Sequence, residues 1–333
     1  MRYMKMKKLG IAGTGIIVQE VLPLVSQWGF EPAAICGTPQ TEAQTKELAE
    51  KYTNGVYYNS YAEMLKDENV EVIYVAVPNF LHYSFVKDAL AAKKNVICEK
   101  PLTSNVTEAR KLEAAAKDAG LFLFEAITTV YLPTFLKTRE LLSRIGTVKV
   151  VSCNFSNYSR RYDAFRAGEI LPAFDPKKSG GALMDIGLYN LAWLVGLFGE
   201  PQSVKYDANI ERGIDTSGIM TLDYGTFKAV SVAAKDCSAP WRYVIQGTEG
   251  YLLMDTPANF CMDIKIHLND GTEEKYELNP ESRLECEFLQ FAKLMEENNL
   301  EACYEALAET VLVSKIQTEA RQGAGIIFPA DEK

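Results

Sequence analysis

Short apolar stretches alternate with amphipathic ones from Lys7 to about Phe124. The apolar stretches are typical of strands in a parallel sheet, which are buried on both faces, and the amphipathic ones have the helical period of about 3.6 residues. Strands are predicted at KLGIAG, PAAIC, VYY, VEVIYVAV, NVICEK and LFLFEA, with helices at Thr41–Tyr52, His82–Ala92 and Val106–Ala119. This alternation predicts an α/β region built around a doubly wound parallel sheet.

The pattern changes after Pro133, where apolar and polar residues alternate one by one over long stretches. These stretches are VKVVSCNFSNYS, SGIMTLDYG, TFKAVSVAAK, RYVIQGTEGYLLMD and MDIKIHLNDGTEEKYEL. Strands with one buried face alternate in this way, and the Gly, Asp and Asn residues at Asp223–Thr226, Gly247–Gly250 and Asn269–Thr272 favour hairpin turns. The second region is therefore predicted to be α+β, with an open and mainly antiparallel sheet.

The C-terminal tail has the helical period at Glu285–Asn298 and at Ala302–Gln322. The change of pattern and the length of 333 residues predict two domains, with residues 1–126 in the first and residues 127–333 in the second. The C-terminal helix is a candidate to pack back on the first domain.

Composition narrows the classes of partner. The net charge of −9 disfavours nucleic acid and anionic membranes, because both attract clustered Lys and Arg. The seven cysteines are scattered and form no CxxC pair, which fits a reducing compartment better than a disulfide-bonded scaffold. The longest apolar run, Leu188–Phe198, falls short of the roughly 20 residues of a membrane-spanning helix. We therefore predict a cytoplasmic protein whose partner is a small molecule.

A glycine-rich turn, Gly13-Thr14-Gly15-Ile16-Ile17-Val18, follows the first predicted strand. In a dinucleotide fingerprint, the first glycine allows a tight turn and the second lets backbone N–H groups approach a pyrophosphate at the start of a helix. Val18 stands where Gly or Ala is usual, so a plain strand-to-helix turn is the alternative. The context favours an NAD(P)-binding Rossmann domain, with cofactor contacts from Gly13, Thr14, Gly15, Ile16 and Ile17.

The second predicted strand ends at Ile35-Cys36-Gly37-Thr38, where a carboxylate normally binds the ribose of NAD. Neither Asp nor Glu stands there, and no Arg is present to bind the 2′-phosphate of NADP. Gly37 and Thr38 are candidate cofactor contacts, and Lys46 is a further candidate. The choice between NAD and NADP stays open.

Two polar motifs lie at the ends of predicted strands, VAVPNFLH at 75–82 and CEKPL at 98–102. Ligands bind at this edge of an open α/β sheet. Together with GGALMDIGLY at 180–189, the motifs resemble the glucose-fructose oxidoreductase/inositol dehydrogenase/MocA family in order and spacing. Phe124-Glu125-Ala126 and Tyr189 are similar to its branch of dimeric dihydrodiol dehydrogenases and glucose-fructose oxidoreductase. Position and resemblance give a further set of candidate cofactor contacts: Pro78, Asn79, His82, Glu99, Lys100 and Glu125.

The resemblance implies hydride transfer between NAD(P) and a carbinol or carbonyl of a sugar, polyol or diol. It also implies a homodimer or higher homo-oligomer that associates through the broad sheet face. Family members place the lysine of the EKP motif beside the nicotinamide, which corresponds to Lys100 here. They use a residue four positions after an aspartate for proton transfer, usually His, and this position is Tyr189, as in the branch just named.

Asp185 and Tyr189 stand four residues apart on a predicted helix and so share one face. A phenol has a reference pKa of about 10 and needs a neighbouring cation to act as a base near neutral pH. Lys100 would supply that charge, so Lys100, Tyr189 and Asp185 are the predicted catalytic residues. The alternative is a noncatalytic dinucleotide-binding regulator of the same fold, although a regulator has no need for all three residues.

Arg160, Arg161 and Tyr162 follow the first long strand of the second domain and are candidate substrate contacts, with a solvated loop as the equal alternative. The two histidines of the chain, His82 and His267, lie far apart in sequence and lack Cys or carboxylate neighbours at ligand spacing. No metal site is therefore predicted. His82 is expected near the cofactor or at a helix cap, and His267 on the surface.

Overall fold

The computed structural model describes residues 6–278 and 280–332, which form two compact units. The first unit contains the described residues through Thr103 together with Thr107–Ala126 and Glu287–Val311. The second contains Ser104–Val106, Ile127–Cys286 and the described residues from Leu312 onward. The domain limits 1–126 and 127–333, and the packing of the C-terminal helix on the first domain, stay proposals.

The first unit is an α/β sheet with its connecting helices. Its strands are β1 (Lys7–Ala12), β2 (Phe30–Cys36), β3 (Tyr57–Tyr58), β4 (Val72–Val75), β5 (Asn95–Glu99) and β6 (Leu123–Ala126). The helices between them are α1 (Ile16–Val21), α2 (Glu42–Tyr52), α3 (Tyr61–Lys66), α4 (His82–Ala91) and α5 (Val106–Ala119). All strand pairs are parallel in the order β3-β2-β1-β4-β5-β6, so the predicted Rossmann fold is confirmed.

The second unit is built on an eight-stranded sheet. Its helices are α6 (Pro133–Leu141), α7 (Arg160–Arg166) and α8 (Leu188–Phe198). Its strands are β7 (Val148–Ser156), β8 (Ser203–Glu211), β9 (Ile214–Asp223), β10 (Lys228–Ala234), β11 (Arg242–Gly247), β12 (Gly250–Met254), β13 (Asp263–Leu268) and β14 (Glu273–Glu277). The order is β14-β13-β12-β11-β7-β10-β9-β8.

The prediction of a mainly antiparallel sheet is confirmed, with one parallel pair between β7 and β10. The three predicted turns connect β9 to β10, β11 to β12 and β13 to β14. Strand β8 is missing from the sequence-based assignment. It is an edge strand whose sequence, SVKYDANIE, alternates apolar and polar residues as the other strands of this sheet do, with Tyr206 as its only buried residue.

The alternation in the second sheet separates a buried face from an outward face. On β7, Val151, Cys153 and Phe155 are buried in the hydrophobic core that also contains much of α8. Residues of opposite parity point outward, and several apolar ones are exposed, including Val150 at 42% and Ile219 at 49%. The outward face is therefore partly apolar.

The segment Pro176–Phe198 has the length and composition of a membrane-spanning helix, and among the described residues it is the one such helix. Its most apolar window has a mean hydropathy of 1.4, but 72% of that window is buried inside the protein. Leu188–Val195 of α8 is buried throughout. The segment is therefore mostly a buried part of the second unit.

Two long helices follow the last strand, α9 (Glu285–Glu296) and α10 (Leu300–Gly323), and a short 3-10 helix at Pro329–Glu332 comes after them. Aromatic side chains of α9 pack on the parallel sheet of the first unit. Phe288 makes edge contacts with Phe30 and Tyr74, and Phe291 stacks on Phe124 with ring centroids 4.5 Å apart. These large buried rings make α9 part of the core of the first unit.

Candidate active site

The glycine turn after β1 has the shape that a dinucleotide requires. Gly13 has a φ of +123°, and a Cβ there would lie 2.3 Å from the carbonyl oxygen of Ala76, so no other residue fits. Gly15 caps the N-terminus of α1, and a Cβ there would meet nothing within 4 Å. The backbone at Gly15 is therefore open to a ligand, which fits the pyrophosphate of NAD(P).

The residues between and after the two glycines differ in their exposure to solvent. Thr14 is 8% exposed, and its carbonyl oxygen accepts a hydrogen bond from Gln44 Nε2 at 3.1 Å. Ile16 is 68% exposed and Ile17 is partly buried, whereas Val18 is fully buried. Val18 thus occupies the third fingerprint position as a core residue of the first unit.

The end of β2 presents backbone groups and hydroxyls. A Cβ at Gly37 would lie 2.0 Å from Thr45 Oγ1, so the glycine allows α2 to pack closely on this turn. The N–H of Thr38 donates to Thr41 Oγ1 at 2.9 Å. Lys46 forms a 2.9 Å ion pair with Glu42, so its ammonium already has a carboxylate partner. The cofactor contacts of Gly37 and Thr38 stay predictions.

His82 links the loops that follow β4 and β5. It is 1% exposed, with Nδ1 2.7 Å from the carbonyl oxygen of Pro101 and Nε2 2.8 Å from that of Val77. Burial lowers the pKa of His82, and the two carbonyl contacts oppose that shift because a neutral imidazole donates from one nitrogen only. The ring thus ties the loop carrying Pro78 and Asn79 to the turn that carries Lys100.

Glu125 lies under the same turn. It is fully buried, and its carboxylate accepts hydrogen bonds from the Leu102 N–H at 2.8 Å and from Thr310 Oγ1 at 3.0 Å. Burial raises the pKa of Glu125 to about 7, and the positive charge of Lys100 opposes that shift. Glu99 Oε1 accepts a 2.6 Å hydrogen bond from the hydroxyl of Tyr74. The geometry supports a structural role for Glu125, and its predicted contact with the cofactor remains untested.

In the second unit, Asp185 lies in a π-helical turn and Tyr189 lies in the first turn of the α-helix that follows it. The predicted helix is present, and it begins with a π-helical turn at Leu183–Gly187 before α8. Asp185 lies in this turn with its side chain 32% exposed. Tyr189 is 7% exposed and packs against Phe155, with ring centroids 5.9 Å apart. Such turns often carry functional residues, because they change the direction of side chains within a helix.

Asp185 has a partner that the sequence did not reveal. Lys235 follows the last residue of β10, and its Nζ lies 2.7 Å from Asp185 Oδ2. The lysine side chain is only 3% exposed. A single lysine after an alternating strand carries no signal of burial, since most lysines at such positions are solvated.

Asp215 also stabilises the π-helical turn, through a hydrogen bond to its backbone. This fully buried carboxylate accepts hydrogen bonds from the Leu183 N–H at 2.7 Å and from the hydroxyl of Tyr206 at 2.8 Å. Burial raises the pKa of Asp215 to about 6, although these hydrogen bonds favour the ionised form. Gly181 has a φ of +109°, and a Cβ there would lie 2.1 Å from Asp215 Oδ1. Gly181, the second glycine of the GGALMDIGLY motif, therefore makes room for the carboxylate.

Asn190 fixes the first turn of α8 against the sheet. It is fully buried, and its amide donates to Ser231 Oγ and to the Val232 carbonyl, each at 3.0 Å. Its Oδ1 accepts a 2.6 Å hydrogen bond from the hydroxyl of Tyr243. Because Asn190 is the next residue after Tyr189, these bonds restrain the backbone that carries the phenol.

Arg160 and Arg161 are exposed at the start of α7, and their predicted substrate contacts are not tested by this geometry. Tyr162 is partly buried: its ring packs near Phe165 and Phe174, and its hydroxyl donates to Glu211 at 2.6 Å. This hydrogen bond raises the pKa of Tyr162 to about 12. The aromatic packing gives Tyr162 a structural role in addition to any contact with a substrate.

His267 lies on β13, where it stacks on Tyr251 with ring centroids 4.6 Å apart and contacts Glu273 at 2.9 Å. Within residues 6–278 and 280–332, no group of three or more His, Cys, Asp or Glu side chains is arranged to hold a metal ion.

Comparison with known proteins gives matches in both halves of the chain. Residues 7–127 match the model described as "Oxidoreductase family, NAD-binding Rossmann fold", and residues 135–253 match that of the GFO/IDH/MocA C-terminal domain. The scyllo-inositol 2-dehydrogenase (NADP(+)) IolU of Bacillus subtilis is 35% identical over 86% of this chain and 88% of its own length. The trans-1,2-dihydrobenzene-1,2-diol dehydrogenase of Mus musculus is 29% identical over 97% and 98%.

A solved structure shares the fold over nearly the whole chain. KijD10, a 3-ketoreductase from Actinomadura kijaniata in complex with NADP and TDP-benzene, superposes with a TM-score of 0.84. The superposition covers 97% of this chain and 99% of KijD10 at 22% sequence identity. The arrangement of both sheets is thus that of a known fold.

Proposed function

The chain belongs to the GFO/IDH/MocA family of NAD(P)-dependent oxidoreductases, and from that premise we propose that it transfers a hydride between nicotinamide and a carbinol or carbonyl carbon of a sugar, polyol or diol. The observation that carries the proposal is the match of both family domains to this chain. The open backbone at Gly15 supports the cofactor part of it. The polyol and diol named for the two relatives support the substrate class.

We assign proton transfer to Tyr189, assisted by Lys100. When bound, the nicotinamide supplies or accepts the hydride. In the oxidative direction the tyrosine accepts the hydroxyl proton as the hydride leaves carbon, and in the reductive direction it donates a proton to the carbonyl oxygen. A phenol with a reference pKa of about 10 does this near neutral pH only with a cation to stabilise its ionised form, which is the role of Lys100. Asp185 completes the proposed set.

The test is a spectrophotometric screen at 340 nm. Purified protein is mixed with NAD or NADP and with inositols, other polyols, aldoses and diols, and the reduced cofactors are tested with the corresponding carbonyl compounds. We expect turnover with at least one hydroxyl compound. A protein that binds NADPH in a thermal-shift assay but turns over none of these compounds would instead be the noncatalytic dinucleotide-binding alternative.

We also propose a cytoplasmic homodimer that associates through the outward face of the second sheet. Exposed apolar side chains on this face, such as Val150 and Ile219, favour a covering partner. The seven cysteines, all of which lie in the described part of the chain, form no disulfide bond, which is consistent with a reducing compartment. Sedimentation velocity at micromolar concentration is expected to show a dimer, and a monomer would contradict the proposal.

A further inference from the structure

Lys235 is a buried cation with three kinds of partner. Its Nζ lies 2.7 Å from Asp185 Oδ2 and donates to the carbonyl oxygen of Ala173 at 3.2 Å. The same atom lies 4.6 Å from the centroid of the Phe174 ring. Carboxylate, carbonyl and aromatic face all stabilise an ammonium that has lost its water. The site is therefore built to hold a positive charge at one point.

The backbone of Lys235 is fixed as firmly as its side chain. Its N–H donates to the Thr216 carbonyl at 2.9 Å, and its carbonyl accepts from the Ser159 N–H at 2.9 Å. The lysine thus extends the sheet by one residue beyond β10 on both sides. The point from which the side chain starts is therefore fixed, and the contacts of the ammonium itself hold its other end.

The two partners of this ion pair differ in exposure. The Lys235 side chain is 3% exposed, whereas that of Asp185 is 32% exposed. Burying an ammonium is costly unless it is paired, and an exposed pair would be worth little to stability. A pair with its cation buried and its carboxylate reaching solvent is suited to presenting that carboxylate to a ligand in a fixed orientation.

At the other end of β10, Lys228 provides the contrast. It pairs with Asp223 in the hairpin between β9 and β10, and its side chain is 62% exposed. Both lysines flank one strand and both have an aspartate partner, but only Lys235 is buried. The burial of Lys235 is therefore not a general property of lysines on this strand.

We propose that Lys235 is a positioning residue that holds the Asp185 carboxylate in the orientation in which it accepts a hydrogen bond from a substrate hydroxyl beside Tyr189. This inference rests on the proposed function. Asp185 lies in the π-helical turn, whose Leu183 N–H is already anchored by Asp215. Asp215 thus fixes the backbone of the turn, and Lys235 fixes the side chain that projects from it.

The experiment compares Lys235→Met, Lys235→Arg, Asp185→Asn and the double variant Lys235→Met/Asp185→Asn in the full-length protein. Lys228→Met is the matched control, because it removes a lysine–aspartate pair from the opposite end of the same strand. For each protein, kcat and KM are measured with the best substrate of the 340 nm screen. NADPH affinity and the thermal unfolding midpoint are measured in parallel, and they report folding independently of turnover.

We expect Lys235→Met to raise KM for the hydroxyl substrate by roughly 10-fold or more, as for the loss of a charged hydrogen bond, with NADPH affinity unchanged. Lys235→Arg should recover part of this loss. In the Asp185→Asn background, Lys235→Met should add little, because the lysine acts through the aspartate. Lys228→Met should match the parent.

A folded Lys235→Met protein with parental KM, or additive effects of the two substitutions, would overturn the inference and leave the proposed function intact. If Lys235→Met does not fold, the KM of Lys235→Met/Asp185→Asn is compared with that of Asp185→Asn instead. The double variant lacks both charges of the pair, so it leaves neither of them buried without its partner, and a further rise in KM over Asp185→Asn would overturn the inference. A parent protein that turns over no hydroxyl or carbonyl compound would refute the proposed function itself, and the inference with it.

Discussion

The two units differ in how the residues proposed for catalysis are supported in each of them. In the first unit, the His82 ring contacts the carbonyl group of Val77 with one nitrogen and that of Pro101, in the turn that carries Lys100, with the other. All of these residues lie within one short part of the sequence. In the second unit, Asp185 pairs with Lys235, which directly follows strand β10 and is 50 residues away in sequence. The residues that support the first unit can be recognised in the sequence because they belong to short motifs. The Lys235–Asp185 pair can be recognised only in the folded structure, because it depends on how the strands pair.

The largest effects are expected where each region contributes its reactive group. Lys100→Met and Tyr189→Phe should each lower kcat by at least about 100-fold, the usual contribution of a positioned proton-transfer group. Steady-state turnover measures this loss, and NADPH binding shows that each variant is folded. Lys111→Met, an exposed lysine on α5, serves as the control for the first substitution. Near-native rates in both variants would disprove the assignment of the pair.

The buried support of the second unit is tested by Asp215→Ala. The substitution leaves the Leu183 N–H and the Tyr206 hydroxyl without their acceptor. With about 1 to 3 kcal/mol for each buried donor, the free energy of unfolding should fall by roughly 2 to 6 kcal/mol. Urea denaturation measures this difference. Tyr206→Phe removes only one of the two donors and should cost less.

An exposed carboxylate provides the control for this measurement. Asp207 pairs with Lys205 on β8, and both side chains are more than half exposed. Asp207→Ala should change the free energy of unfolding by less than about 1 kcal/mol. Equal losses for the substitutions at 207 and 215 would mean that the buried network does not stabilise the π-helical turn.

In the first unit, the buried carboxyl of Glu125 is tested with Glu125→Gln, by measuring how the free energy of unfolding depends on pH. Because burial raises the folded-state pKa of Glu125 from 4.5 to about 7, its favourable contribution is fully present below pH 4.5 and is lost as the pH rises through 7. Glutamine stays neutral, so the variant should gain stability relative to the parent over this interval, by no more than about 3 kcal/mol. Urea denaturation at several pH values measures the gain, and a constant difference would contradict the raised pKa.

The smallest effect concerns cofactor choice at the end of β2. Thr38→Asp places a carboxylate where it accepts hydrogen bonds from the ribose of NAD and repels the 2′-phosphate of NADP. The ratio of kcat/KM for NAD to that for NADP should rise by about 10-fold, whereas the uncharged Thr38→Asn should leave it nearly unchanged. An unchanged ratio for Thr38→Asp would place the ribose elsewhere.

Most of the fold was predictable because strand burial leaves a periodic trace in the sequence. The parallel strands appear as apolar runs and the antiparallel ones as alternation, and both assignments agree with the structure. Strand β8 was missed although its sequence, SVKYDANIE, has the same alternation as the other strands of this sheet. The π-helical turn at Leu183–Gly187 was also missed, since a single widened turn hardly alters the helical period.

The sequence by itself indicated the family, through the resemblance of its motifs, and it predicted the glycine turn and the candidate pair Lys100 and Tyr189, because each belongs to a short stretch of neighbouring residues. Only the tertiary structure showed that Lys235 pairs with Asp185 and that Asp215 anchors the turn that carries it. Those contacts join residues that are far apart in the chain, and their burial depends on strands that pair only in the folded sheet. A charged residue in sequence looks the same whether it is solvated or buried, so packing alone decides its role.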